Sequence, residues 1–159
     1  MEDVIEDFRR TVEDAAARML AISEEESRVP RAQDKWSPKE IVGHLIDSAS
    51  NNHQRFVRAQ FTDHLVFPGY EQESWVRAQG YREEPWPLLV ELWRSFNLHL
   101  AHVMERSPES ARLASRERHN LDEIGWIKIG DGEPATLEYL MRDYVGHLKN
   151  HLRQILGEA

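Results

Sequence analysis

Apolar residues recur every three or four positions in four separate stretches of this chain, and nowhere is a two-residue alternation sustained. That period is the signature of helices with one face toward a core. In the first stretch Val4, Phe8, Val12, Ala15, Met19 and Ile22 form the stripe, predicting a helix from about Asp3 to Ser27. The second opens at KWSPKE: Ser37 suits an N-cap, Pro38 the first helical position, and Glu40 completes a capping box. It is expected to run through Phe61. The third follows EEPWPLL, carries Leu89, Leu92, Trp93, Phe96, Leu100 and Val103, and runs to Ser107, where Pro108 stops it. The fourth starts near Thr136 and ends at Gly157, with Leu137, Leu140, Met141, Tyr144, Leu148, Leu152 and Ile155 on one face. Four such helices bury their stripes by packing together. The expectation is an all-α fold, an antiparallel four-helix bundle, in one domain over residues 1–159.

The connections are unequal. Residues 62–84 carry Phe67, Tyr70, Trp75 and Tyr81, with a short helix expected across YEQESWVRA. Residues 108–135 are long and polar, with a strand-like piece at GWIKIGDG. Loops of this length in a compact domain are more often functional covers than plain connectors. The tetrapeptide VGHL occurs twice, at 42–45 and 145–148, too short to mark a duplication.

Composition removes several function classes. The net charge is −8 without a Lys/Arg-rich block, which disfavours nucleic acid and anionic membranes as partners. No apolar run is long enough to span a membrane, and the acidic start MEDVIEDF does not read as a signal peptide, so a cytoplasmic protein is expected. Cysteine is absent, so disulfides, cysteine nucleophiles and cysteine-ligated zinc are excluded.

The histidines point to chemistry. His147 and His151, one turn apart in GHLKNHLRQI, fall within the apolar face of the fourth helix, toward one edge. A buried neutral imidazole needs partners for two nitrogens, and a metal ion can satisfy a pair at this spacing. Asp143 lies too far from His151 along the axis, about 12 Å, to complete one site with both histidines. A third ligand is expected from another helix. His44 is the best candidate, in a polar row with Ser48, Asn51 and Arg55 along the edge of the second helix. Such a row resembles the wall of a pocket. Asp47 falls further round, toward solvent. His53, His64, His99, His102 and His119 read as surface or loop residues, and Asn97 as a half-buried polar residue beside Trp93. Gly43 and Gly146 each precede one of these histidines on the outward side of its helix, without an evident local reason.

The blocks WSPKEIVGHLIDS and TLEYLMRDYVGHLKNHLRQI, with GYEQESWVRAQGY and LVELWRSFNLHLAHVMERSPE between them, resemble the DinB/YfiT-like family of stress-associated bacterial proteins, over nearly the whole chain. The resemblance implies an up-down-down-up four-helix bundle, often dimeric, so a homodimer is expected. It implies one divalent metal ion per chain, commonly zinc or nickel, on His44, His147 and His151. Three imidazoles alone would not discriminate against iron.

Three protein ligands leave a coordination position open, as in catalytic rather than structural zinc sites. Leu148, Lys149 and Asn150 separate the two histidines, so no glutamate base comes with the motif. The resemblance favours transfer of a low-molecular-weight thiol, of the bacillithiol or mycothiol kind, to an electrophilic substrate. The alternative is hydrolysis of an amide or ester, with a base from Asp47, Glu71 or Glu73. Arg55 and Asn51 are candidates to grip a carboxylate or amide, and Tyr70, Trp75 and Trp126 to roof the site. A metal-stabilised stress or interaction protein without catalysis is the third reading.

Overall fold

In a computed structural model of the chain, residues 1–130 and 132–157 are described. They form eight α-helices: α1 Glu2–Leu20, α2 Glu24–Ser27, α3 Pro38–Arg58, α4 Gln72–Gln79, α5 Trp86–Arg106, α6 Glu109–Leu113, α7 Leu121–Ile124 and α8 Leu137–Leu156. A 3₁₀ turn, Ala59–Phe61, extends α3. Among the described residues there is no strand. GWIKIGDG is irregular, apart from Asp131, which lies outside the described residues. No helix is long and apolar enough to cross a membrane.

Local chemistry sets the helix ends. The Ser37 hydroxyl accepts from the Glu40 amide while the Glu40 carboxylate accepts from the Ser37 amide at 2.9 Å, closing the expected capping box. Thr136 caps α8 through the Tyr139 amide at 3.1 Å, and Gly157 ends it in the left-handed region at φ 72°. α5 ends at Arg106, just before Ser107 and Pro108. The first helix is shorter than its stripe suggested. Ser23 and Glu26 form a second capping box that starts α2, so the chain breaks after Leu20 and restarts. The apolar stripe passed through Ile22, but a serine able to cap won locally.

Side-chain pairings give the helix directions. Arg9 meets Glu105, Glu13 meets Arg94, and the Trp86 indole donates to the Met19 carbonyl, so α1 and α5 run antiparallel. His44 meets His151 while Phe56 meets Tyr144, so α3 and α8 are antiparallel. Lys39 lies at the start of α5 and His53 against Phe96 and His99, so α3 and α5 are parallel. The order is up-down-down-up, with α1 and α3 each packed between α5 and α8. Phe8, Phe56 and Tyr144 pack edge to face at the centre. There the Tyr144 hydroxyl donates to Asn97 Oδ1 at 2.5 Å, and Asn97 donates to the Trp93 carbonyl at 2.8 Å. Asn97 is thus fully buried and serves the core. Leu92, placed in the α5 stripe by period, is exposed.

Candidate metal centre

α3 and α8 bring His44, His147 and His151 together. One ring nitrogen of each lies within 4.8 Å of the others, an arrangement that could hold a metal ion. His44 Nε2 and His147 Nε2 are 3.3 Å apart. His44 is fully buried, with Trp36 tilted against its ring at 5.2 Å. Burial, then His151 and His147, push the His44 imidazole down to about 3; burial, then His151, push His147 down to about 4; burial lowers His151. All three are therefore neutral near pH 7, the form in which imidazole is a ligand. The Gln154 side-chain oxygen faces His151 Nδ1 at 3.2 Å, which puts the proton there and leaves Nε2 as the lone-pair atom.

The hydrogen bonding does not suit a structural cluster. His44 Nδ1 is buried without a partner, and the other nitrogen meets only another histidine. A histidine buried for packing normally satisfies both nitrogens. The Nε2–Nε2 contact can share one proton at most as a hydrogen bond, whereas a cation between the rings would take a lone pair from each; His44 Nδ1 stays unpartnered either way.

His147 and His151 open onto a cavity of about 810 Å³ between α3, α8 and the two long loops. Ser48, Asn52 and Arg55 line its α3 side; Tyr70, Glu71, Glu123 and Trp126 come from the loops; Asp143, Tyr144 and Asn150 come from α8. The Asp143 carboxylate accepts from the Trp126 amide at 3.1 Å and the Ile127 amide at 2.6 Å, pinning the loop over α8. Burial pushes the Tyr70 phenol up to about 12, so it is a neutral hydrogen-bonding group.

A model of the DinB superfamily matches residues 7–155. The chain belongs to the DinB superfamily. Within solved structures, this DinB chain is similar to YfiT from Bacillus subtilis, at 15% identity and a TM-score of 0.74, covering 97% of this chain and 85% of that one. YfiT is described as "a probable metal-dependent hydrolase with an unusual four-helix bundle topology". At that identity the likeness concerns the fold. No curated protein matches the chain.

The DinB chain places the other expected site residues unevenly. Arg55 lines the cavity. Asn51 does not; it lies in a separate groove with Phe61 and Val66, and its amide donates to the Asp47 carbonyl. Asn52, one position on, takes the cavity wall instead. Asn52 stands at the stripe's own spacing, three residues after Ala49 and four before Phe56, and is buried, whereas Asn51 lies further round the helix. Asp47 points out of the bundle, as its wheel position indicates, yet it is only 3% exposed. Tyr81 donates to its carboxylate at 2.7 Å and Gln79 at 2.6 Å, because α4 and the turn after it cover that face. Asp47 is therefore a buried acceptor outside the cavity lining, not a surface residue. Tyr70 and Trp126 do line the cavity. Trp75 packs tilted against Tyr70, ring centroids 4.8 Å apart, and does not reach the cavity. Glu71 is on the wall and Glu73 is not.

The two glycines have a tertiary reason. A Cβ at Gly43 would stand 2.0 Å from the Tyr81 ring, and one at Gly146 would stand 3.0 Å from the Trp126 ring. Each bare helix surface lets an aromatic ring approach the backbone next to one of the three histidines. The sequence signal was the pairing of a helix glycine with an aromatic-rich loop, which a wheel alone does not join.

Proposed function

We propose that His44, His147 and His151 hold one divalent ion, zinc or nickel, and that the chain is an enzyme that transfers a low-molecular-weight thiol to an electrophile in the adjoining cavity. The observation that carries this reading is the convergence of three neutral imidazoles from two helices beside a polar cavity. A divalent ion held there supplies Lewis acidity, which lowers the pKa of a thiol or water that enters. The chain's own part is positional. Ser48, Asn52, Arg55 and Asn150 offer polar groups around the cavity, and Tyr70 and Trp126 restrict access of water over it.

Thiol transfer is favoured over hydrolysis by the state of the carboxylates. Asp143 is committed to two backbone amides, and Asp47 is turned to Tyr81 and Gln79. Asp143 has both oxygens in use, and Asp47, although its Oδ2 is unpartnered, lies outside the cavity lining, so neither is placed to take a proton from a molecule in the cavity; a thiol whose pKa a bound ion would lower gives its proton to solvent without a dedicated base. Hydrolysis is the second reading, supported by Glu71 and Glu123 on the cavity wall. The test is cobalt substitution. Adding a bacterial thiol should produce sulfur-to-metal charge-transfer absorption, growing as pH rises through the thiol's lowered pKa and lost in His44→Ala. Absence of that absorption with every such thiol, together with metal-dependent turnover of esters or amides, would establish the hydrolase instead.

A further inference from the structure

The chain buries two arginines to nearly the same degree and treats them in opposite ways. Arg116 is 7% exposed, and its guanidinium donates to the carbonyls of Thr62, Ala111, Ala114 and Ala59 at 2.9–3.3 Å. It is a structural clamp with its donors in use. Arg55 is 6% exposed, yet it makes one hydrogen bond, from Nη2 to the Pro68 carbonyl at 3.2 Å. Among the described residues it forms no ion pair. Its remaining N–H groups are not sealed in the core; Arg55 lines both the α3–α8 cavity and the neighbouring groove of Asn51 and Phe61, and the two groups that act on its charge, Tyr70 and Asp143, stand on the cavity side. A buried guanidinium with no anion in contact carries a desolvation cost that packing does not offset. Burial lowers the Arg55 pKa accordingly, opposed in part by Tyr70 and Asp143.

We propose that Arg55 anchors a carboxylate carried by the small molecule that enters the α3–α8 cavity. The proposal rests on the metal-dependent reading for the molecule's reacting end, but not for its anchored end. A guanidinium matches a carboxylate through two parallel hydrogen bonds. Ser48 and Asn52 line the same wall and add neutral polar groups. A phosphate dianion fits less well, because Glu71, Glu123 and Asp143 line the same cavity and would repel the second charge. Spacing agrees with a small metabolite. Arg55 lies three turns beyond His44, about 16 Å along the axis, and its side chain leans back toward the helix start. The anchor and the histidines can therefore grip two ends of one molecule.

The test uses the zinc-loaded chain and calorimetry with alkyl hydroxamates of increasing length, each ending in a carboxylate or in the matching carboxamide. At the best length the carboxylate should bind roughly tenfold more tightly or better. Arg55→Met should abolish that preference while zinc stoichiometry is unchanged. Arg55→Lys, which keeps the charge but not the fork, should retain part of it, and it covers the case in which the methionine variant folds poorly. The same pairs with a thiol head in place of the hydroxamate assign the carboxylate: a preference in that series places it on the thiol, and a preference in the hydroxamates alone places it on the electrophile. Equal binding of carboxylate and carboxamide in both series, or a preference that survives Arg55→Met, would overturn the proposal. A chelated sample separates this from the metal reading. If the chain binds no zinc, that reading falls, while the Arg55 Nε–H resonance should still shift with glutarate and not with glutaramide. Loss of that discrimination overturns the anchor on its own.

Discussion

Glycine inside a helix costs about 1 kcal/mol against alanine, and both Gly43 and Gly146 sit inside long helices. Their neighbours predict opposite responses to repair. At Gly43 the Tyr81 ring is buried and held by its hydrogen bond to Asp47, so it cannot retreat. Gly43→Ala should destabilise by roughly 1–3 kcal/mol in urea unfolding, despite its better propensity. At Gly146 the contact would be tight at 3.0 Å, but Trp126 is nearly half exposed and can give by the few tenths of an ångström required. Gly146→Ala should change stability by no more than about 0.5 kcal/mol. A stabilised Gly43→Ala variant would mean that Tyr81 does not lie on the helix. For the histidines the readout is metal content. His147→Ala should lose stoichiometric binding by elemental analysis, and a triple alanine variant that still bound one equivalent as tightly would refute the triad.

The short elements matter because they tie the long ones together. Lys39, fully buried at the start of α3, bonds to the Glu24 carboxylate of α2 and to the Glu84 carbonyl. Glu24 also accepts from the Trp86 amide at 2.8 Å and from Arg28. The Lys39 ammonium, then the Trp86 amide, hold the Glu24 carboxyl down to about 2 against an ordinary 4.5. A depressed carboxyl stabilises the fold fully above its unfolded pKa and loses that stabilisation as pH falls through the folded value. Acid unfolding should therefore carry a Glu24-dependent limb between about pH 4.5 and 2, which Glu24→Gln flattens in pH-dependent thermal melts. The loop after α7 depends on a different carboxylate. Asp143→Ala removes the acceptor of the Trp126 and Ile127 amides; both residues are half exposed and water can replace the carboxylate, so the cost is about 0.5–1.5 kcal/mol per bond. Hydrogen exchange should rise at those two amides while the α8 core amides stay protected. Uniform loss of protection along α8 would show that Asp143 supports the helix rather than the loop.

Across the whole molecule, the histidine triad joins two antiparallel helices that already share a core. Phe56, about three turns beyond His44, and Tyr144, about one turn before His147, pack between α3 and α8, and Phe8 closes the contact from α1. An ion that binds only the folded chain stabilises by mass action, about 4 kcal/mol at a thousandfold excess over Kd. Chelation should lower the Tm accordingly and leave the helical circular dichroism intact at room temperature. Loss of the helical signal on chelation would place the ion among the folding determinants.

What the sequence determined by itself is short in range. Helix periods, the Ser37–Glu40 box, the stop at Pro108 and the turn between His147 and His151 all involve residues a few positions apart, so they are legible without the fold. His44 was legible as part of a polar row bordering the apolar stripe. Tertiary structure decided the rest, because the outward face of a helix has no intrinsic burial. α4 and Tyr81 dock on α3 and turn Asp47 from an outward-pointing acid into a buried acceptor. The break after Leu20 was in the sequence, at Ser23 and Glu26, but a continuing apolar period masked it. The contrast between Arg55 and Arg116 lies beyond any local pattern: both are single arginines, and only the folded loops supply one with carbonyls and leave the other facing open space.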